Sequence, residues 1–447
     1  MVNYLSVGKA VSKIFISGEK CAVKTMSAQK PILSFVKAAP KITPNSNPIG
    51  YITSTAKLSQ KMSTKLFEYL PKEAQENFNT LLNAGKKLNI IKTDADGNVT
   101  AKSLERFLKT WDKDSYSKMM FLQNNFKDLS GADFKRIMNA YSSTEKMTAG
   151  KAHIEKWLNS KDEIAKYSKL IEKDAQKAVE DAKKEIFELT GFMPECRGKS
   201  FESIYDKISR FMFAGKDMST IDAIKKEVID SIGTRINFKD ASPEKMQKFV
   251  DGICKGIKSG RIKVTRITNY TNDTMPYLSE AQFNQIKQAA AEVGYEIPTK
   301  TSKIKSKSGF ACAQMNIKFS SGVVGENQCR SELMHKHAEW EHLLYDVRMG
   351  KNIGKNIPEL EKYLEPFEDQ VHMLKRNGLN NIHDRYLWDC YQYIRKFEQG
   401  KIKSKFKLPK YPNRLKEYDL LKFESLEKIH NDMEAIKASV TKVANAA

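Results

Sequence analysis

The sequence predicts an α+β fold: a mixed β-sheet flanked by helices in the middle of the chain, with all-helical extensions before and after it. Three observations predict it. Between residues 191 and 350, short β-branched and alternating segments (GTRINF, RIKVTRITNY, ACAQMNIKFS, GENQCRSEL) interleave with helical stretches at 200–213, 219–230, 243–258 and 279–293. Ahead of that region, apolar residues recur at three- and four-residue steps, as in Phe67, Leu70, Ala74, Phe78 and Leu81. After Gly354 the helical period returns over 358–377, 379–399 and 413–440.

The elements follow in order. Residues 1–58 read as a basic leader, partly disordered, whose KAAPKITPNSNPIG stretch has the Pro/Asn/Ser/Gly composition of a linker. Residues 59–160 read as a helical domain in which Pro71 kinks a helix or starts a new one. Within it, TDADGNVTAKSLERF resembles half of a calcium-binding loop. Asp94, Asp96 and Gly97 are in place, but Lys92 and Ser103 stand where the first and last acidic ligands belong. Calcium needs six to eight oxygens, so a DG turn opening a helix is the plainer reading. Residues 161–352 form the mixed α/β region, opened by an Ala/Lys/Glu-rich helix that Gly191 and Pro194 stop. Residues 353–447 form a helical C-terminal extension, interrupted by KIKSKFKLPKYPNR.

At 447 residues the chain has room for about two to four folding units of ~100–150 residues each. It carries 76 Lys plus Arg against 54 Asp plus Glu, a net charge of +22. That field favours polyanions: nucleotides, RNA or an anionic membrane surface. Six scattered cysteines with no CxxC spacing argue against structural zinc and fit a reducing compartment. No apolar run reaches the ~20 residues of a membrane-spanning helix. We therefore expect a cytoplasmic protein, with secretion by a non-standard route left open.

Three segments carry chemistry. In Arg197-Gly-Lys199-Ser-Phe-Glu-Ser203-Ile-Tyr-Asp-Lys207, a helix starting near Lys199 would align Lys199, Ser203 and Lys207 on one face at i, i+4 and i+8. Several cations and a hydroxyl at fixed spacing suit a polyphosphate, although a solvated basic face is the plainer reading of this helix alone. In Asp230-Ser-Ile-Gly-Thr-Arg235, an acidic residue stands at a helix-to-strand junction with Arg235 beside it. Such an Asp can hold Mg²⁺, which takes one or two carboxylates and leaves its other positions to water and phosphate. In Glu326-Asn-Gln328-Cys-Arg330, the two-residue period of a strand puts Glu326, Gln328 and Arg330 on one face and Cys329 on the other.

In order, type and spacing these segments resemble the synthetase domain of the RelA/SpoT family. The family's R-x-K-x-x-x-S-I-x-x-K, D-x-x-G-x-R, Gly/aromatic loop, E-x-Q-x-R and M-H-x-x-A-E motifs appear here as RGKSFESIYDK, DSIGTR, SGF, ENQCR and MHKHAE. The resemblance implies a nucleotidyltransferase-like domain over 161–352 that moves the β,γ-diphosphate of ATP to a ribose 3′-hydroxyl. It implies that Arg197, Lys199, Ser203, Lys207 and Arg235 bind ATP, and that Asp230 and Glu326 hold Mg²⁺, with Glu326 helping to activate the attacking hydroxyl. Gly309, Phe310, Gln314, Gln328 and Arg330 would serve the acceptor. Lys305 and Lys307 stand in a basic run just before that loop, which could grip a diphosphate or an RNA backbone or simply be solvated.

The acceptor loop departs from the family's usual N-G-Y-Q-S-x-H. Ser308 replaces the Asn that reads guanine, Phe310 the stacking Tyr, and Gln314 the His. The implied acceptor is GDP or GTP, and alternatively the tRNA 3′ end; a non-catalytic RNA-binding protein is the third reading. Helical flanks in such proteins regulate or recruit, so an antitoxin or a second copy of the chain is an expected partner. His335, Glu339, His342 and Asp346 share a helix face but lack HExxH spacing, and we expect no metal there.

Overall fold

The computed structural model describes residues 113–446 apart from 127, 272–273, 275, 299–303, 306–307 and 350–356, together with 82–87, 91–93, 103 and 106. The predicted leader 1–58, most of the 92–103 loop, and Lys307 lie outside the described residues. The chain divides into two compact units, Met1–Ala149 and Gly150–Ala447.

In the first unit, helices α1 (Lys113–Asn125), α2 (Gly131–Ala140) and α3 (Thr144–Ala149) bury Met119, Leu122, Phe134, Ile137 and Met147. Helix ends supply much of the polar cement. The Ser130 hydroxyl caps α2 by accepting from the Asp133 amide. The Asp114 carboxylate accepts from the Thr144 amide and hydroxyl at the start of α3, at 2.9 and 2.8 Å. Lys118 donates its buried ammonium to the carbonyls of Met138 and Tyr141, 3.1 and 3.0 Å away, where α2 ends.

The second unit opens with α4 (Lys151–Asn159) and the 30-residue α5 (Lys161–Thr190). In α5, Ile171, Ala175, Ala178, Ala182, Ile186 and Leu189 form the buried stripe that the 3.6-residue period requires. Gly191 ends the helix at φ +73°, a left-handed cap that glycine adopts without strain.

There follow β1 (Glu195–Gly198), α6 (Phe201–Phe213), α7 (Ile221–Glu227), β2 (Ile232–Phe238), α8 (Pro243–Lys258), β3 (Lys263–Thr271), α9 (Glu280–Glu292), β4 (Ile304–Lys305), β5 (Cys312–Lys318) and β6 (Val324–Ser331). The sheet order is β1-β2-β6-β5-β3-β4. β2 runs parallel to β6 and β3 to β4, and the other pairs are antiparallel. The α+β expectation with a mixed sheet flanked by helices therefore holds.

The sheet has two unlike faces. Ile232, Ile236 and Phe238 of β2, Met315 and Ile317 of β5, and Cys329 of β6 share an apolar cluster with residues of α5, α8 and α9. The alternate positions Arg235, Glu326, Gln328 and Gln314 are half-buried and polar, and with Gly233 they form the face on which the candidate site stands.

The C-terminal helices are α10 (Glu332–Arg348), α11 (Pro358–Arg376), α12 (Asn380–Glu398) and α13 (Phe423–Ala446). Leu360, Phe367, Leu387, Tyr391, Phe423 and Leu426 belong to the same apolar cluster as the sheet.

Four local expectations need correction. α6 starts at Phe201, because the Ser200 hydroxyl caps it by accepting from the Ser203 amide, so Lys199 lies ahead of the helix. α7 ends at Glu227, which leaves Asp230 in a turn whose Ile229 carbonyl accepts from the Asn316 side chain at 2.9 Å. β1 and β4 were not expected; at four and two residues they are too short to show alternation. The predicted helix from 413 begins instead as a 3₁₀ segment, Asn413–Leu421. There Tyr418 leaves the helical region at φ −113°, and its carbonyl accepts from the Tyr411 hydroxyl at 2.8 Å rather than from the helix.

Candidate active site

Two basic side chains converge on one carboxylate. The Lys199 ammonium lies 2.5 Å from Oδ2 of Asp230, and that of Lys207 2.6 Å from Oδ1. Three elements bring them together. The Lys199 amide donates to the Ser231 carbonyl at 2.8 Å, which fixes the chain leaving β1 against the turn entering β2. Lys207 stands two turns into α6, and the Asn316 amide holds the Asp230 turn from β5.

Glu326 stands on the neighbouring strand. The β2–β6 register sets it opposite Gly233, and the β5–β6 register sets it opposite Asn316. Its carboxylate accepts from the side-chain amide of Gln314 at 2.7 Å and from that of Gln328 at 2.6 Å.

Environment drives the two carboxyls apart. Burial pushes Asp230 up, but the charges and hydrogen bonds of Lys199 and Lys207 outweigh it and hold the group below its ordinary value. For Glu326, burial and the nearby Asp230 charge together outweigh the Gln328 hydrogen bond and the two ammoniums, and the group titrates above its ordinary value. Burial also lowers Lys199, against the attraction of Asp230. Paired carboxyls tuned in opposite directions are the arrangement from which acid–base roles are built.

Farther along β6, Arg330 is 3% exposed and donates to Nδ1 of His335 at 2.8 Å and to Glu339 at 3.4 Å. Arg235 pairs with the same Glu339 oxygen at 3.0 Å. Arg235 therefore does not stand beside Asp230 as expected. It sits one two-residue step past Gly233, level with Gln328. Burial and the two guanidiniums lower His335 to about 4, so its neutral ring accepts from Arg330. Two of the four residues expected on one face of α10 are thus spent on arginines, and His342 pairs with Asp346 at 3.3 Å. Among the described residues no group of three or more His, Cys, Asp or Glu side chains is placed to hold a metal ion.

The remaining predicted residues scatter. Arg197 is exposed on β1, opposite Gly233. Ser203 is exposed in the first turn of α6, and its hydroxyl accepts from that of Ser200 at 3.2 Å. Gly309 has φ +83°, a conformation that favours glycine. Phe310 has the Arg330 guanidinium over its ring at 5.2 Å and packs near Tyr270 and Tyr391. The Lys305 backbone pairs with Thr271 across β3 and β4. Sequence reasoning missed Asn316, which supports the Asp230 turn; its place two residues after Gln314 on a strand was the available signal. His383 of α12 is buried, with Nε2 2.9 Å from the Leu421 carbonyl.

No protein-family model matches the chain, and no curated protein matches it. One solved structure that matches is the small alarmone synthetase 1 from Bacillus subtilis. The match has 16% identity and a TM-score of 0.24, and it covers 47% of this chain and 93% of that one. Among the described residues no helix is long and apolar enough to cross a membrane.

Proposed function

We propose that this chain is a diphosphotransferase that moves the β,γ-diphosphate of ATP onto the ribose 3′-hydroxyl of a guanine nucleotide, GDP or GTP. The observation that carries the reading is the convergence of Lys199 and Lys207 on Asp230, with Glu326 on the adjoining strand and the two carboxyls tuned in opposite directions. The ordered RelA/SpoT-like motifs supply the same residues.

In this reading Lys199, Lys207 and Arg197 hold the ATP phosphates, with Ser203 at the mouth of the cluster. Asp230 and Glu326 suit Mg²⁺, because the pair feel one another's charge and Mg²⁺ needs few protein carboxylates when phosphates and water complete its shell. Bound there, the ion would neutralise phosphate charge. The ribose 3′-oxygen attacks the β-phosphorus, the bond from that phosphorus to the α–β bridging oxygen breaks, and AMP leaves. In this reading Glu326 takes the hydroxyl proton as general base. Positioning and charge stabilisation do most of the work in such transfers.

A second reading has the tRNA 3′ end as acceptor. It is favoured by Lys401, Lys403, Lys405, Lys407 and Lys410, all exposed on the extended segment between α12 and the 3₁₀ turn. An RNA acceptor should lose affinity steeply with salt, with a log–log slope of about −0.7 per phosphate contact for single strands.

The test is label transfer from β- or γ-labelled ATP with Mg²⁺ to GDP, GTP, ADP, ATP or deacylated tRNA, with Glu326→Gln as control. Label on GDP or GTP supports the first reading and label on tRNA the second. If no acceptor is labelled and wild type matches Glu326→Gln, the catalytic reading fails and a non-catalytic RNA-binding protein takes its place.

A further inference from the structure

The loop that carries Gly309 and Phe310 is clamped by the C-terminal extension. The Glu341 carboxylate on α10 accepts from the Tyr391 hydroxyl of α12 at 2.7 Å. The Ser308 hydroxyl lies near enough to the same carboxylate to pull its pKa down against burial, which brings the loop up to this pair. Next along the loop, a Cβ placed on Gly309 would lie 2.9 Å from the Trp388 Cα and 3.1 Å from its carbonyl oxygen, so the loop backbone rests directly on the helix backbone. The Phe310 ring then meets Tyr391 edge-on, with centroids 6.1 Å apart. Three consecutive loop residues thus each touch α12 or a group bonded to it.

A carboxylate is an expensive choice for this place. Burial raises Glu341 above its ordinary value, and Tyr391 is fully buried. An apolar side chain would cement these elements with less desolvation cost, whereas a carboxylate that accepts from the Tyr391 hydroxyl and faces that of Ser308 fixes their geometry. The helix itself is anchored beyond the clamp. Arg395 stacks 3.8 Å over Tyr277 and donates to the Pro276 carbonyl, and Glu398 accepts from the Tyr277 and Ser331 hydroxyls.

We propose that α12 is the outer wall of the acceptor side, and that Glu341 and Tyr391 are positioning residues that hold the Ser308–Phe310 loop where the acceptor nucleoside meets it. This rests on the diphosphotransferase reading for what the loop binds, but not for the clamp itself.

Tyr391→Phe and Ser308→Ala each remove one hydroxyl and keep the packing. Hydrogen exchange in the full chain is expected to quicken about tenfold over residues 308–313 in both variants, the loss typical of one hydrogen bond, with α8 unchanged. In the label-transfer assay the KM for the acceptor should rise about tenfold while the KM for ATP stays within twofold. Unchanged exchange in both variants would overturn the clamp. Equal rises in both KM values would overturn the acceptor role, because they would mean general loosening. If wild type transfers no label at all, the acceptor role falls with the reaction, and the exchange data alone decide the clamp.

Discussion

The Lys199–Asp230–Lys207 cluster and the Ser308–Phe310 loop flank the polar face of the sheet from opposite ends of its strands. The first lies where β2 begins; the second lies just before β5, which runs antiparallel to β6 and so starts near the end of β2 and β6. Glu326, Gln328 and Arg330 step between them along β6. Charge organises the first end: two ammoniums hold one carboxylate, and each partner remains part-exposed. Packing organises the second: a glycine pressed on a helix backbone, an aromatic ring among Arg330, Tyr270 and Tyr391, and a carboxylate that accepts from the Tyr391 hydroxyl. In the proposed reaction a phosphate would enter the first end by trading places with a counter-charge. At the second end a ligand must meet a surface whose shape is already set.

The largest effect should come from unbalancing the charged end. Lys207→Ala removes one of two cations on Asp230, and we expect kcat/KM for ATP to fall about 100-fold or more, within the range for losing one electrostatic stabiliser of a transition state. The acceptor KM should stay within about threefold, as for distant sites that share no partner. Steady-state kinetics with each substrate varied would check it. A comparable loss on both substrates would mean that the two ends are not separable.

The packed end breaks differently. Gly309→Ala combines a backbone conformation at φ +83° with a Cβ 2.9 Å from the Trp388 Cα. Neither partner is the tip of a flexible side chain, so one backbone must move. We expect a cost of about 1–3 kcal/mol in unfolding free energy, measured by denaturant titration. Lys207→Ala should cost less, because Lys199 still holds Asp230 at 2.5 Å and the carboxylate is not left unpaired. If Gly309→Ala were neutral in stability, the loop would not rest on α12 as described.

The same contrast explains what the sequence revealed. The stripe of α5 and the alternation of β2, β5 and β6 are local periodicities, and they were legible. Lys199, Lys207, Asp230 and Glu326 were picked out too, but by the order of the motifs that carry the family resemblance, since the basic helix alone read more plainly as a solvated face. Pairings across the chain were not. Nothing local ties Ser308 to Tyr391, and Arg235 reads as a neighbour of Asp230 until the register places it level with Gln328 and within reach of Glu339. Ser200 could have been recognised as a helix cap, which would have moved Lys199 off α6. The 3₁₀ turn at Asn413–Leu421 could not, because it depends on Tyr411 reaching the Tyr418 carbonyl.

The smallest predicted effect, and the most specific, concerns pH. Glu326 must be ionised to accept a proton, and its folded value lies above the ordinary 4.5. The rate should therefore fall on the acid side with unit slope, and the fall should begin at a pH above that value. Asp230 is held below 3.8 and keeps its charge throughout, so it adds no second step. The stability consequences have opposite signs. Asp230 stabilises the fold above its unfolded value, and that contribution is lost as pH falls through its lowered folded value. Glu326 contributes fully only below its unfolded value, and its contribution is lost as pH rises through the raised folded value. At neutral pH its charge is a cost, so Glu326→Gln should raise the melting temperature. Melting curves at pH 5 and pH 8 would read this directly, with the gain over wild type larger at pH 8. A variant less stable than wild type at pH 8 would mean that Glu326 is held there by favourable charge pairing, which would make it a structural partner of the lysines instead of the base.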